Sequence, residues 1–403
     1  MRASIALTGL ATLAVLSSTA FLMRAQAPAA APAMMAAPAA NAPGLRVGVD
    51  AEHRDLVLEV GPVDLPANGG HRQLPAYHAA LPVDGWLHGY RVEMVDADGR
   101  PVPRRTLHHV NVIVPGQREL FSPIMLRMAA AGQETAPVAL PRMLGYRVRS
   151  GQELIVTVMM HNPTPTAYRG VKLRLHFGYT PGSAVLKPVS VFPFYMDVMP
   201  PASLHSWDLP PGRSRRSWEA RPAVAGRILG VSGHLHQYGT ALRLEDVTAG
   251  KVIWNGRPQV DGEGEVVGMP ASYFVWQLGI PVRADHVYRI TAEYDNPTGQ
   301  TIPGGAMGAL GGAIVPEGGA RWPGVDPNNP ELKLDWHLVH TGNQGGHMHM
   351  RMQGAAPPAS GHDHGAMPGM SHGAAARPAA QADAMAGTGG MDHAHAHDHQ
   401  SHR

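Results

Sequence analysis

An all-β chain of two β-sandwiches in tandem is the fold this sequence predicts, and three observations predict it. Glycine and proline are abundant, at 47 and 37 residues, so turns are frequent. Helical periodicity is scarce, whereas short apolar runs with two-residue alternation recur along the chain. Those runs fall into two successive sets, each of ordinary domain size.

The elements follow in order. Met1 and Arg2 precede an apolar run over 5–23, and Ala25-Gln26-Ala27 offers a small-x-small cleavage site, followed by Pro28. Residues 1–27 therefore read as an export signal, either removed or kept as a membrane anchor. Residues 28–44 are Ala/Pro-rich with almost no charge, a disordered linker by composition. The first domain is expected over 45–185. Its strands lie at 56–60, 86–95 (closed by the turn Asp96-Ala97-Asp98-Gly99), 110–114, 153–160 and 171–177. The last of these alternates cleanly: Val171, Leu173, Leu175 and Phe177 face inward, and Lys172, Arg174 and His176 face outward.

The second domain is expected over 186–345, with the two sets meeting near 182–189. A strand at 191–198 leads to the turn Leu209-Pro210-Pro211-Gly212. Strands follow at 227–236, 240–246, 252–254 and 287–294, with a last one at 332–340. Thr248-Ala249-Gly250-Lys251 is a hairpin turn within that series. From 346 to 403 the composition changes to Gly, Ala, Pro, His and Met. That tail lacks the apolar content for a core and reads as a disordered, metal-binding tract.

Composition narrows the chemistry. A formal net charge of +2 gives no reason to expect a nucleic-acid partner, and the basic run at 213–216 is short and interrupted by serine. No cysteine is present, so there are no disulfides and no thiol for N-terminal lipid, and each domain must hold by packing alone. With the leader, this points to export into a bacterial periplasm or cell envelope. Against zero Cys stand 24 His and 21 Met. Imidazole suits copper, zinc and iron, and thioether sulfur selects Cu(I), so copper is the leading metal.

The histidines that could carry such chemistry are few. His234 and His236 occupy i and i+2 of a strand and so project from one face, able to meet at one ion or simply to form a solvated edge. His108 and His109 are neighbours, which on a regular strand point to opposite faces. They can share an ion only at a strand end or an irregularity; otherwise one is buried and the other exposed. His161 closes the apolar strand 154–160 just before Asn162-Pro163, where a lone histidine is commonly a polar strand end. Met307 lies in Pro303-Gly304-Gly305-Ala306-Met307-Gly308, read as a flexible glycine-rich loop, where any methionine can be packing filler.

These stretches, taken in order, resemble the copper type II, ascorbate-dependent monooxygenases, the family of peptidylglycine α-hydroxylating and dopamine β-hydroxylating enzymes. The likeness runs roughly over 86–315. Thr106-Leu107-His108-His109-Val110 is similar to the adjacent-histidine segment of that family's first domain, and 154–161 to the strand bearing its third histidine. Residues 192–212, with their Pro-Pro-Gly turn, resemble the entry to the second domain. Residues 233–239 resemble its His-x-His segment, and 304–308 the approach to its methionine ligand. The resemblance implies two jelly-roll-like sandwiches and two copper ions facing each other across a solvent-filled cleft. His108, His109 and His161 would hold the first ion. His234, His236 and Met307 would hold the second, where oxygen is activated. It further implies O2, an external reductant such as ascorbate, and hydroxylation of a C–H bond in a small substrate.

The chain also departs from the family. Ser232 stands where the peptide-amidating enzymes have an arginine that anchors the substrate carboxylate, and Gly311 where a tyrosine is expected. Peptidylglycine is therefore not the expected substrate, since a buried carboxylate would find no partner. Two further readings stand beside the hydroxylase. One is a non-catalytic envelope copper-binding or copper-tolerance protein, which the tail favours unless it serves to deliver copper to the sites. The other is a structural envelope module with incidental histidines.

Overall fold

The computed structural model describes residues 43–262 and 265–341; the expected leader, most of the linker and the tail lie outside them. The described chain is mostly β-strand, an all-β sandwich fold. Four of its sheets form two successive pairs, one from residues up to Ser190 and the other from Phe192 onward. Among the described residues, no helix is long and apolar enough to cross a membrane.

In hydrogen-bonded order, the first sheet runs Gly44–Asp50, Asp55–Leu65, Tyr168–Pro181, Gly85–Val95, Leu144–Val148 and Val189–Ser190, with Val138–Ala139 added on Gly85–Val95. Its partner runs Gly69–Gln73, Glu153–Asn162, Leu107–Arg118 and Met125–Ala131, with Tyr77–Ala80 also on Glu153–Asn162. The third sheet runs Phe192–Asp197, Ile302–Pro316, Gly226–Leu235 and Ser272–Tyr273. Ser206–Leu209 adds to it on Ile302–Pro316 and Ile280–Val282 on Gly226–Leu235. The fourth runs Gly212–Ala220, Tyr288–Asn296, Gly239–Asp246 and Lys251–Gly256, and Gln259–Val260 with Val266–Gly268 makes a small hairpin. Neighbours distant in sequence are the rule, as in Greek-key sandwiches.

Alternation decides which face is buried. Val171, Leu173, Leu175 and Phe177 are within the core, while Arg174 and His176 on the opposite face pair with Glu59 at 2.8 Å and Glu93 at 3.1 Å. One apolar core is continuous through both sandwiches. Phe121 of the first meets Phe194 and Tyr288 of the second at ring distances of 5.9 and 5.8 Å.

Both sandwiches turn the same corner. The Asn162 amide donates to the carbonyls of Pro66 (2.9 Å) and Thr166 (2.8 Å), and its Oδ1 accepts from the Thr164 N–H (3.1 Å) and hydroxyl (2.7 Å). Asn296 does the same with Pro210 (3.1 Å), Gln300 (2.8 Å) and Thr298 (3.1 and 2.7 Å). Asp64 then accepts the N–H of Gly170 at 2.8 Å, and Asp208 that of Gly304 at 2.9 Å. Both glycines sit at φ near +60°, which side chains with a Cβ resist. Asp-Leu-Pro, Asn-Pro-Thr and this glycine thus recur as an internal structural repeat.

Two expectations need correction. Residues 332–340 are not a strand of the second set but belong to an α-helix, Pro330–Thr341, docked on the first sandwich. Asn329 caps it, its Oδ1 accepting the Glu331 N–H at 2.8 Å, and Pro330 suits the first helical position. Asp335, buried, takes the Arg127 guanidinium at 2.5 and 2.9 Å and the Met125 N–H at 3.1 Å. Ahead of the helix, Trp322 stacks on Phe192 at 4.5 Å and donates to the Arg118 carbonyl at 2.9 Å. The second correction concerns 303–308, which is no loop but the start of the fifteen-residue strand Ile302–Pro316, central to the third sheet.

Candidate metal centre

The backbone irregularity that His108 and His109 would need is present. On the Glu153–Asn162 strand, Met159 faces His109 and Met160 faces Leu107, so His108 is the extra residue of a bulge. The bulge brings both rings to one place, with Nδ1 of His108 3.0 Å from Nδ1 of His109. His161 sits in a second register shift, between Met160 and Asn162 opposite the Gly69–Gln73 strand. Its Nε2 donates to the Arg105 carbonyl at 2.5 Å, which leaves Nδ1 as the lone-pair nitrogen, 3.2 Å from Nε2 of His71. Burial lowers the His161 pKa, against the pull of the Arg105 carbonyl, and so favours the neutral form that ligates metal.

His71 is a residue the sequence did not single out. Its ring lies 4.7 Å from that of His108 and 4.9 Å from that of His161. The turn Asn68-Gly69-Gly70 before it marks a strand start, but no spacing ties one isolated histidine to the others.

On the second sandwich, His234 lies opposite Ala309 across the Gly226–Leu235 and Ile302–Pro316 strands. The His234 and His236 rings stand 5.2 Å apart and perpendicular. His234 Nδ1 bonds Glu134 Oε1 at 2.7 Å, a buried carboxylate supplied by the first sandwich. An ionised carboxylate accepts only, so Nδ1 carries the proton and Nε2 is left for a ligand. Burial is the largest influence on His234 and opposes its charge, yet the Glu134 carboxylate and the field of Asp197 raise its pKa. Burial likewise works against the Glu134 anion, and the His234 contact outweighs it, lowering that pKa.

Met307 shares a face with Ala309 two residues on, and hence with His234. Tyr294, buried, ties this corner together. Its hydroxyl accepts the N–H of His236 at 3.0 Å and of Met307 at 3.0 Å, and donates to the Met307 carbonyl. Neither Glu134 nor Tyr294 carried a signal in sequence, because each acts through a fold-dependent partner.

The two histidine sets are one array. The His108 ring lies 6.0 Å from that of His236, across the junction of the sandwiches. At that distance the two expected ligand sets meet at His108 and His236. Among the described residues, no three His, Asp or Glu side chains form a ready metal-holding group. The array presents nitrogen pairs instead. Bonds of about 2 Å to one ion leave adjacent ligand nitrogens roughly 3 Å apart. The pairs at 3.0 and 3.2 Å meet that spacing, and the second nitrogen of His161 is fixed by the Arg105 carbonyl, so the donor set fits a late first-row metal.

Beside the array lies a cavity of about 250 Å³ between the sandwiches, with His109, His234 and Met307 on its wall. A Tyr195–Asp197–His205 cluster borders it, the Tyr195 hydroxyl donating to Asp197 and His205 Nδ1 lying 2.9 Å from the same carboxylate.

No family model matches this chain, and no curated protein does. Among solved structures, that of PNGF-II is 9% identical with a TM-score of 0.28, over 68% of this chain and 62% of that one. A likeness at that level carries no argument about function.

Proposed function

We propose that this chain is an exported copper-dependent monooxygenase, akin to the type II ascorbate-dependent enzymes, hydroxylating a C–H bond of a small substrate. The observation that carries the reading is the meeting of nitrogen donors from both sandwiches, His108 and His236 at 6.0 Å, beside a cavity that also holds the Met307 thioether. Copper bound there would supply one-electron redox chemistry and the reduction of O2, with thioether favouring the cuprous state. In the overall reaction one oxygen atom enters the C–H bond, the other leaves as water, and a reductant such as ascorbate gives two electrons.

The protein's own part is positional. Glu134 holds His234 in the tautomer that presents Nε2, and the Arg105 carbonyl holds His161 in the one that presents Nδ1. Tyr294 fixes the backbones of His236 and Met307 together. A second reading, a copper-binding or copper-tolerance protein without turnover, draws on the same unbroken histidine array and on the tail, whose His and Met suit copper delivery.

The test is ascorbate-driven oxygen uptake by copper-loaded full-length protein, beside His234→Ala and Met307→Ile, with the tail common to all three. The hydroxylase reading expects uptake to fall on the order of a hundredfold in both variants. Uptake equal in all three would leave the copper-binding reading in its place.

A further inference from the structure

We propose that the cavity beside the histidine array is the substrate site, and that it takes an uncharged, largely apolar molecule of one or two fused rings. This deepens the monooxygenase reading and rests on it for the fate of the bound molecule, though not for binding itself. Size comes first. A cavity of roughly 150 Å³ lined by apolar side chains holds benzene; this one, at about 250 Å³, has room for a bicyclic ring.

The room is made by one strand. Ala309, Gly311 and Ala313 share the face of Ile302–Pro316 that also carries Met307, so small residues line the cavity beyond that methionine. A Cβ built on Gly311 meets nothing closer than the Phe194 carbonyl at 3.8 Å. Leu87, Val138 and Leu140 of the first sandwich add apolar surface to the lining.

Charge is excluded by the way the polar wall groups are engaged. Among the described residues, Arg127 is the one Lys or Arg on the wall, and Asp335 binds it at 2.5 and 2.9 Å. Glu134 is held by His234 at 2.7 Å. The Ser232 hydroxyl donates to the Met269 carbonyl at 3.0 Å and the Tyr90 hydroxyl to the Ala130 carbonyl at 2.5 Å. A carboxylate or ammonium entering here would lose its water and find Arg127 and Glu134 already paired, a cost that apolar contact does not return.

The experiment uses copper-free full-length protein and three matched probes: naphthalene, 2-naphthoate and 2-naphthylmethylammonium, followed by equilibrium dialysis. Naphthalene should bind at one per chain, with either ion weaker by on the order of tenfold or more. Gly311→Leu should abolish naphthalene binding while melting like the wild type. Ala313→Leu, further along the same face, serves if that variant fails to fold. Binding of either ion as tight as naphthalene, no binding of naphthalene, or binding unchanged in the filled variants each overturns the site. Copper-loaded protein with ascorbate then separates the two ideas: naphthalene bound without hydroxylation removes the hydroxylase and keeps the site, whereas hydroxylation of charged substrates alone removes the site and keeps the hydroxylase.

Discussion

Single side chains hold this centre together from behind. Tyr294 touches no expected ligand atom, yet its hydroxyl serves the backbones of His236 and Met307 at once. Tyr294→Phe leaves two half-buried N–H groups without this acceptor and frees the two chain segments to part. Unfolding in denaturant should show a loss of about 1–3 kcal/mol, and copper retention should fall with it. A variant as stable as the wild type, with copper binding intact, would show the phenol to be ornamental. Asn296 makes a comparable case at the sandwich corner, where it is buried and engages the carbonyls of Pro210 and Gln300 and both donors of Thr298. Asn296→Ala should cost about 2–3 kcal/mol in the same measurement.

Strands and helices explain what could be read in advance. Alternation located the long strands, as with Val171 to Phe177, because a half-buried strand must repeat every second residue. Ile302–Pro316 was missed because its glycines look like a loop. Packing is their cause: a Cβ at Gly308 would come within 2.5 Å of Ala292, and one at Gly312 within 2.5 Å of the Phe194 ring. The helix Pro330–Thr341 did carry a signal, Asn329 followed by Pro330, which outweighs the short apolar run. Within the site, His234 and His236 were legible from spacing, and His108 and His109 only on condition of a bulge. His71, Glu134 and Tyr294 were not legible, since their roles exist only once distant strands pair.

The junction between the sandwiches is where the molecule should respond to pH. Glu119 is fully buried there and accepts backbone N–H groups of Arg127 (2.5 Å), Tyr195 (2.9 Å) and Leu120 (3.3 Å). Burial pushes its carboxyl from an ordinary 4.5 up to about 8, although those donors and the Arg127 charge pull the other way. Between those values the folded protein keeps a proton that the unfolded chain has released, so stability falls as pH rises through that window. The wild-type melting temperature should therefore decline from pH 5 to pH 8 (roughly that window), and Glu119→Gln, which mimics the neutral acid, should flatten the decline. Parallel pH profiles for the two proteins would remove Glu119 from the account.

The docked helix has a kinematic consequence. The chain leaves the first sandwich after Ser190, builds the second, and returns to the first through Trp322 and the Asp335 pair with Arg127. A body tethered once can swing about its hinge in any direction. Tethered twice, and sharing one continuous core with the first, the second sandwich has no free hinge. Opening of the junction would have to part that core and the Glu134–His234 contact together, so the spacing of His108 and His236 is held from both sides of the seam.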